Sequence, residues 1–103
     1  MDIDILEKIE YTKEGILSKD IMNKSGLDIS LFCMAKNTSI SDHTSAKKAI
    51  VYVIEGDGIF NLKGKDILMK PGKIICMDKN ALHNLKAKEN TSFLLVLFPY
   101  INK

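Results

Sequence analysis

The chain has 103 residues, enough for one domain with a modest core, and its 46% hydrophobic and 27% charged content is that of a globular rather than a disordered protein. The net charge of +2 rests on lysine alone, with no arginine and with acids between the lysines, which argues against a clustered basic surface for nucleic acid. No apolar run is long enough to span a membrane, and the acidic start Met1-Asp2-Ile3-Asp4 is unlike a secretory signal, so the expectation is a cytoplasmic protein with neither a nucleic-acid nor a membrane partner.

Residues 1 to 26 are the least patterned. Ile3, Ile5, Leu6 and Ile9 fit one helical turn or a ragged strand, whereas Gly15 to Ile21 reads as a strand closed by the turn cluster Asn23-Lys24-Ser25-Gly26. Leu27 to Ala35 is a clear strand, with Leu27, Ile29, Leu31 and Cys33 on one face and Phe32 and Met34 on the other. Apolar side chains on both faces predict burial from both sides. Lys36 to Ser39 is a loop. Ala49 to Glu55, rich in β-branched residues, is the strongest strand and stops at Gly56-Asp57-Gly58. Ile59 to Leu62 returns as a hairpin partner and turns at Lys63-Gly64. Asp66 to Met69 runs into Pro71-Gly72, a pair suited to a type II turn because proline sets φ and glycine accepts a positive one. Lys73 to Met77, a strand opened by His83, and the apolar run Ser92 to Phe98 complete the series. At least seven short strands with turn chemistry between them, and no segment of helical period, predict an all-β antiparallel sandwich or barrel. There is no room for a helix-turn-helix.

Chemistry-bearing residues are few. Cys33 and Cys76 are too sparse for a disulfide framework or a zinc ribbon. Both lie in apolar segments and read as buried thiols, with a pocket-facing metal ligand as the alternative. Gly56-Asp57-Gly58 is a hairpin followed by a strand, not a phosphate loop. Tyr52 and Tyr100 can donate hydrogen bonds to a ligand but read first as amphipathic strand residues. That leaves His43 and His83, the only two histidines, forty residues apart, each where a strand meets a loop.

Their setting resembles the cupin family. Its first motif is His-x-His, three or four residues, Glu, six residues and Gly. Aligned back from Gly56, these positions hold His43, Ser45 and Ala49. Its second motif is Gly, five residues, Pro-x-Gly, two residues, His, three residues and Asn. Aligned from Gly72, it gives Asp78 for the Pro, Asn80 for the Gly, His83 for the His and Ala87 for the Asn. Both spacings hold, but only two of the four family metal ligands remain.

The resemblance implies a single small cupin domain over residues 1–103, a jelly-roll barrel of the RmlC-like, double-stranded β-helix type. Residues 1–26 would be an N-terminal strand extension and 27–99 the barrel core. It implies an internal pocket at His43, Ser45, Ala49, Val51, Cys76 and His83 that takes a small organic ligand. It also implies a divalent metal (iron, nickel, zinc or manganese), held weakly by His43 and His83, because Ala49 replaces the anionic ligand and Ser45 an imidazole. The alternative is a metal-dependent dioxygenase or isomerase with a non-standard third ligand; an interaction scaffold is the third reading. A homodimer is expected, on the grounds that Phe32, Met34, Phe93, Leu95 and Leu97 face outward and need a second layer, with the strand around Ile16 to Ile21 crossing to or abutting the partner barrel.

Overall fold

The computed structural model of the chain describes residues 1–99. After a short 3-10 turn at Ile5–Lys8, the described chain forms nine strands: β1 Ile16–Lys24, β2 Leu27–Met34, β3 Ser39–His43, β4 Ala49–Glu55, β5 Gly58–Leu62, β6 Lys65–Met69, β7 Ile74–Met77, β8 His83–Ala87 and β9 Thr91–Leu97. They build two antiparallel sheets, one ordered β1-β2-β9-β4-β7 and one ordered β3-β8-β5-β6. Chain neighbours switch repeatedly between the sheets, as in a jelly roll.

Local chemistry explains the corners. The β1–β2 hairpin turns on Ser25 and Gly26 at φ 54° and 81°, and the β5–β6 hairpin on Lys63 and Gly64 at φ 52° and 85°. Two successive positive φ values match the right-handed twist of the flanking strands, which is why such turns close two-residue hairpins. At Lys70–Lys73 the Lys73 N–H donates to the Lys70 carbonyl at 3.0 Å, with Gly72 at φ 88°, as the Pro-Gly pair predicts. Gly56 is required for a further reason. A side chain there would sit 2.6 Å from the Asn90 carbonyl oxygen, on a backbone at φ 117°.

The register of the five-stranded sheet decides which side chains face the core. One row runs Ser18, Phe32, Phe93 and Val53; two residues along, another runs Asp20, Ser30, Leu95, Val51 and Ile75. These rows face the four-stranded sheet. Met34, Val51, Val53, Phe60, Met69 and Phe93 form the centre of the core, and the Phe32 and Phe93 rings stack with centroids 5.2 Å apart. The expected outward positions Phe32, Met34, Phe93, Leu95 and Leu97 therefore point inward. A strand apolar on both faces does not reveal which face is which; the pairing register does.

The outer face carries the alternate rows, Lys19, Leu31, Leu94, Tyr52 and Ile74, then Met22, Ile29, Val96, Ile50 and Cys76. Residues before β1 lie over one side of it. The Tyr11 hydroxyl donates to the Glu55 carboxylate at 2.7 Å, and the Lys19 ammonium donates to the Lys8 carbonyl at 2.8 Å and pairs with Glu10 at 2.9 Å. Burial pushes the Tyr11 phenol well above its ordinary range; the Glu55 carboxylate adds to the effect while the Ser92 hydroxyl opposes it. The strand expected to cross to or abut a partner is β1, which pairs along its length with β2 of its own chain and so is an edge strand of this sheet. Cys33 is buried, but Cys76 is exposed, because β7 turns Ile75 and Met77 inward and leaves Ile74 and Cys76 outside. No helix of the described residues is long and apolar enough to cross a membrane.

Candidate functional site

The site begins with a bulge. Ile40 pairs with Leu85 and His43 pairs with His83, so three steps along β3 match two along β8. The extra residue reverses the alternation. Ile40 faces the interior, and simple alternation would send His43, three residues on, to the outside. The bulge instead brings His43 to the same side, opposite His83. Asp42 points away and accepts a hydrogen bond from the Asn84 amide at 2.8 Å, which holds the bulge from the solvent side.

The two imidazoles lie with ring centroids 4.0 Å apart, tilted by 59°. His83 is 5% exposed and stacks parallel to Phe60 at 5.5 Å, whereas His43 is exposed. The local geometry of the two is the same. His83 Nδ1 lies 2.9 Å from the Ala81 carbonyl oxygen, and His43 Nδ1 lies 3.1 Å from the Ser41 carbonyl oxygen. A carbonyl can only accept, so each Nδ1 carries a proton, and the tautomer this selects for an unprotonated ring has its lone pair on Nε2. Burial holds the His83 imidazole below its ordinary range; the Ala81 carbonyl works against this and nearby His43 reinforces it.

Beside the pair lies a cavity of about 100 Å³. Phe32, Phe93 and Leu95 line it from β2 and β9, Val51 and Met77 from β4 and β7, and Ile40, Phe60 and Leu85 from the smaller sheet. His43 and His83 are the only polar side chains among its described lining residues, and of the two His43 is exposed.

Of the six residues expected around the pocket, the structure brings together His43, Val51 and His83. Ser45 is not on a strand with His43, because β3 ends at His43 and the chain then crosses to the other sheet. Its hydroxyl accepts from Lys47 N–H at 3.2 Å, and its carbonyl accepts from Asn80 N–H at 2.6 Å, tying the loop after β3 to the loop before β8. Ala49 faces the core beside Met77 and Leu97 without reaching the cavity. Cys76 points outward, so it cannot supply the soft ligand considered for it. Tyr52 is 41% exposed on the outer face, and Tyr100 lies outside the described residues. The apolar lining residues escaped the sequence reading. The alternation signal for them exists, but its sign is set only by the register.

Two imidazoles with Nδ1 bound to backbone carbonyls present the tautomer a metal ion needs. Their number is the difficulty. Structural zinc uses four protein ligands and catalytic zinc three, and no group of three His, Cys, Asp or Glu side chains converges among the described residues. The residues present do not by themselves make a resident metal centre.

Comparison with known proteins agrees with the architecture. Residues 30–98 match the family model described as a cupin domain. An oxalate-binding protein of Thermotoga maritima is 27% identical over 93 residues, which cover 87% of this chain and 77% of that protein. Among solved structures, a conserved protein of unknown function from Streptococcus pyogenes superposes with a TM-score of 0.88 at 22% identity, covering 99% of this chain and 90% of the other. A cupin superfamily protein from Desulfitobacterium hafniense also gives 0.88, at 17% identity, covering 97% and 92%. At such identities these two structures are alike in fold.

Proposed function

Since this chain belongs to the cupin family, we propose that it binds a small organic molecule in the barrel cavity beside His43 and His83. One observation carries the reading: the bulge in β3 brings His43 against His83 at the wall of an otherwise apolar cavity. Apolar walls with a few convergent polar groups are the usual make-up of a small-molecule site. That a relative is named an oxalate-binding protein adds support for a small ligand.

The test is direct. Protein produced without a histidine tag is extracted and the extract examined by mass spectrometry, while a fragment set is screened by shifts of the His43 and His83 ring resonances. A ligand that moves both rings and is lost in His43→Ala supports the proposal. A cavity that takes no fragment at all favours the interaction scaffold.

A weakly held divalent ion is the second reading, favoured by the matched Nδ1–H tautomers. With two protein donors, metal content after dialysis is expected to stay well below one ion per chain, with the remainder lost in His43→Ala. Stoichiometric iron, nickel, zinc or manganese surviving a chelator would bring the dioxygenase or isomerase reading forward.

The homodimer is kept on a different surface from the one first expected. The apolar outer residues Ile50, Tyr52, Leu94, Val96 and Ile74 adjoin one another in register, and the edge strand β7 bounds them. We treat residues 27–99 as the binding unit and 1–26 as its extension.

A further inference from the structure

Resting on that reading of the cavity, we infer that its ligand is small, neutral and hydrogen-bond donating, such as an alcohol, amide or azole, and that carboxylates are excluded. The lining explains the choice. Eight of its ten residues are apolar, and neither lysine nor any backbone turn of positive-φ residues is among them. Its polar content is two imidazoles whose Nδ1 protons are already committed to the Ser41 and Ala81 carbonyls. At a pH above the ordinary imidazole range, where the rings are unprotonated, what each has left to offer is the Nε2 lone pair, which accepts a hydrogen bond and does not donate one.

A carboxylate entering this space would give up water and meet no donor. An unpaired buried charge is among the costliest arrangements a protein interior can hold, whereas a hydroxyl or amide N–H finds its acceptor waiting. A negative ligand is bound elsewhere by arginine, lysine or a row of backbone N–H groups, none of which line this cavity. Size narrows the class further. The cavity, at about 100 Å³, is smaller than the roughly 150 Å³ apolar cavity that accommodates benzene in an engineered protein. The ligand is thus a body of about four to six heavy atoms, or a larger molecule whose remainder extends past His43. The flat stack of Phe60 on His83 favours a planar or branched apolar body beneath the donor.

The experiment compares probes of one shape and different charge. Isobutyramide, isobutanol and isobutyrate, with oxalate as a fourth, are titrated into the full chain in a chelator at about pH 8, above the ordinary imidazole range. Binding is followed by the ring resonances of His43 and His83. The amide and alcohol are expected to bind at least about tenfold more tightly than isobutyrate, a margin of about 1.4 kcal/mol, with oxalate giving no ring shift. Ile40→Lys, which places an ammonium at the wall, should narrow or reverse the preference. If that variant does not fold, the wild-type comparison decides alone. Isobutyrate or oxalate binding as tightly as the amide, with both rings shifted, overturns the inference while leaving the binding site intact. If no probe moves either ring, the cavity reading falls and this inference with it.

Discussion

The two faces of the five-stranded sheet have nearly the same residue types and opposite fates. On the inner face Phe32, Phe93 and Val53 stand in one registered row, closed over by the second sheet. On the outer face one row shows exposure rising strand by strand, from 0% at Leu31 to 41% at Tyr52 and 59% at Ile74. The difference comes from what lies above them. Residues preceding β1 are held to the sheet through Lys19 on β1 and, by Tyr11, through Glu55 at the end of β4, while Tyr52 and Ile74 farther along β4 and β7 stay exposed. Hydrophobicity alone therefore does not say which side chain is core. Each row acquires its character from the layer that reaches it.

The largest test of that contrast is on the inner side. Phe60 is 1% exposed and carries the stacked His83 ring, so Phe60→Ala should cost about 3–5 kcal/mol and disorder the cavity. Urea unfolding measures it; a loss near 1 kcal/mol would show that the cavity wall collapses to fill the space. On the outer face, deleting residues 1–12 should cost about 2 kcal/mol, since the contacts of Tyr11 with Glu55 and of Lys19 with Lys8 and Glu10 are lost. The same deletion has a chemical readout. In the intact chain only Cys76 should react quickly with a thiol reagent; after deletion Cys33 should react as well. Two fast thiols in the intact chain would mean that the N-terminal segment is not seated.

Tyr11→Phe isolates one contact of that cover and should cost about 1 kcal/mol. Its pH dependence has a defined sign. The phenol's folded pKa is raised, so the unfolded chain releases this proton first as pH climbs. The contribution is full below the ordinary tyrosine value near 10 and is lost as pH rises past it. Tyr11→Phe should flatten that alkaline decline. The smallest effect on stability is expected at the uncovered end, where Ile74→Lys should stay within about 0.5 kcal/mol of the parent. Its consequence is on association: light scattering should move from twice the 11.6 kDa chain mass toward one. A parent chain already monomeric at micromolar concentration would remove the homodimer.

Much of the fold was legible before the structure. Gly56, Pro71-Gly72 and Lys63-Gly64 mark turns through constraints on φ that act over a few residues, and the β-branched run Ile50 to Ile54 favours an extended chain by itself. The family spacing points to His43 and His83, and the structure sets the two rings side by side. The reading failed where it needed information from a neighbouring strand. Counting along one strand puts Ser45 and Ala49 beside His43, but the chain leaves its sheet after His43. Cys76 was given the polarity of its apolar segment, yet β7 alternates, and Cys76 falls on the open side.

By itself the sequence determined the all-β class, the positions of the corners and the two histidines at the spacing of the cupin motifs, because turn preference, strand propensity and motif spacing are properties of short stretches. Only the tertiary structure decided which face of each strand is the core, that a bulge in β3 turns His43 to meet His83, and that the cavity is walled by Phe32, Phe60 and Phe93 rather than by Ser45, Ala49 and Cys76. The physical reason is the two-residue period of a strand. A single inserted residue exchanges inside for outside, and whether such a residue is accommodated depends on hydrogen bonds to a partner strand forty residues away.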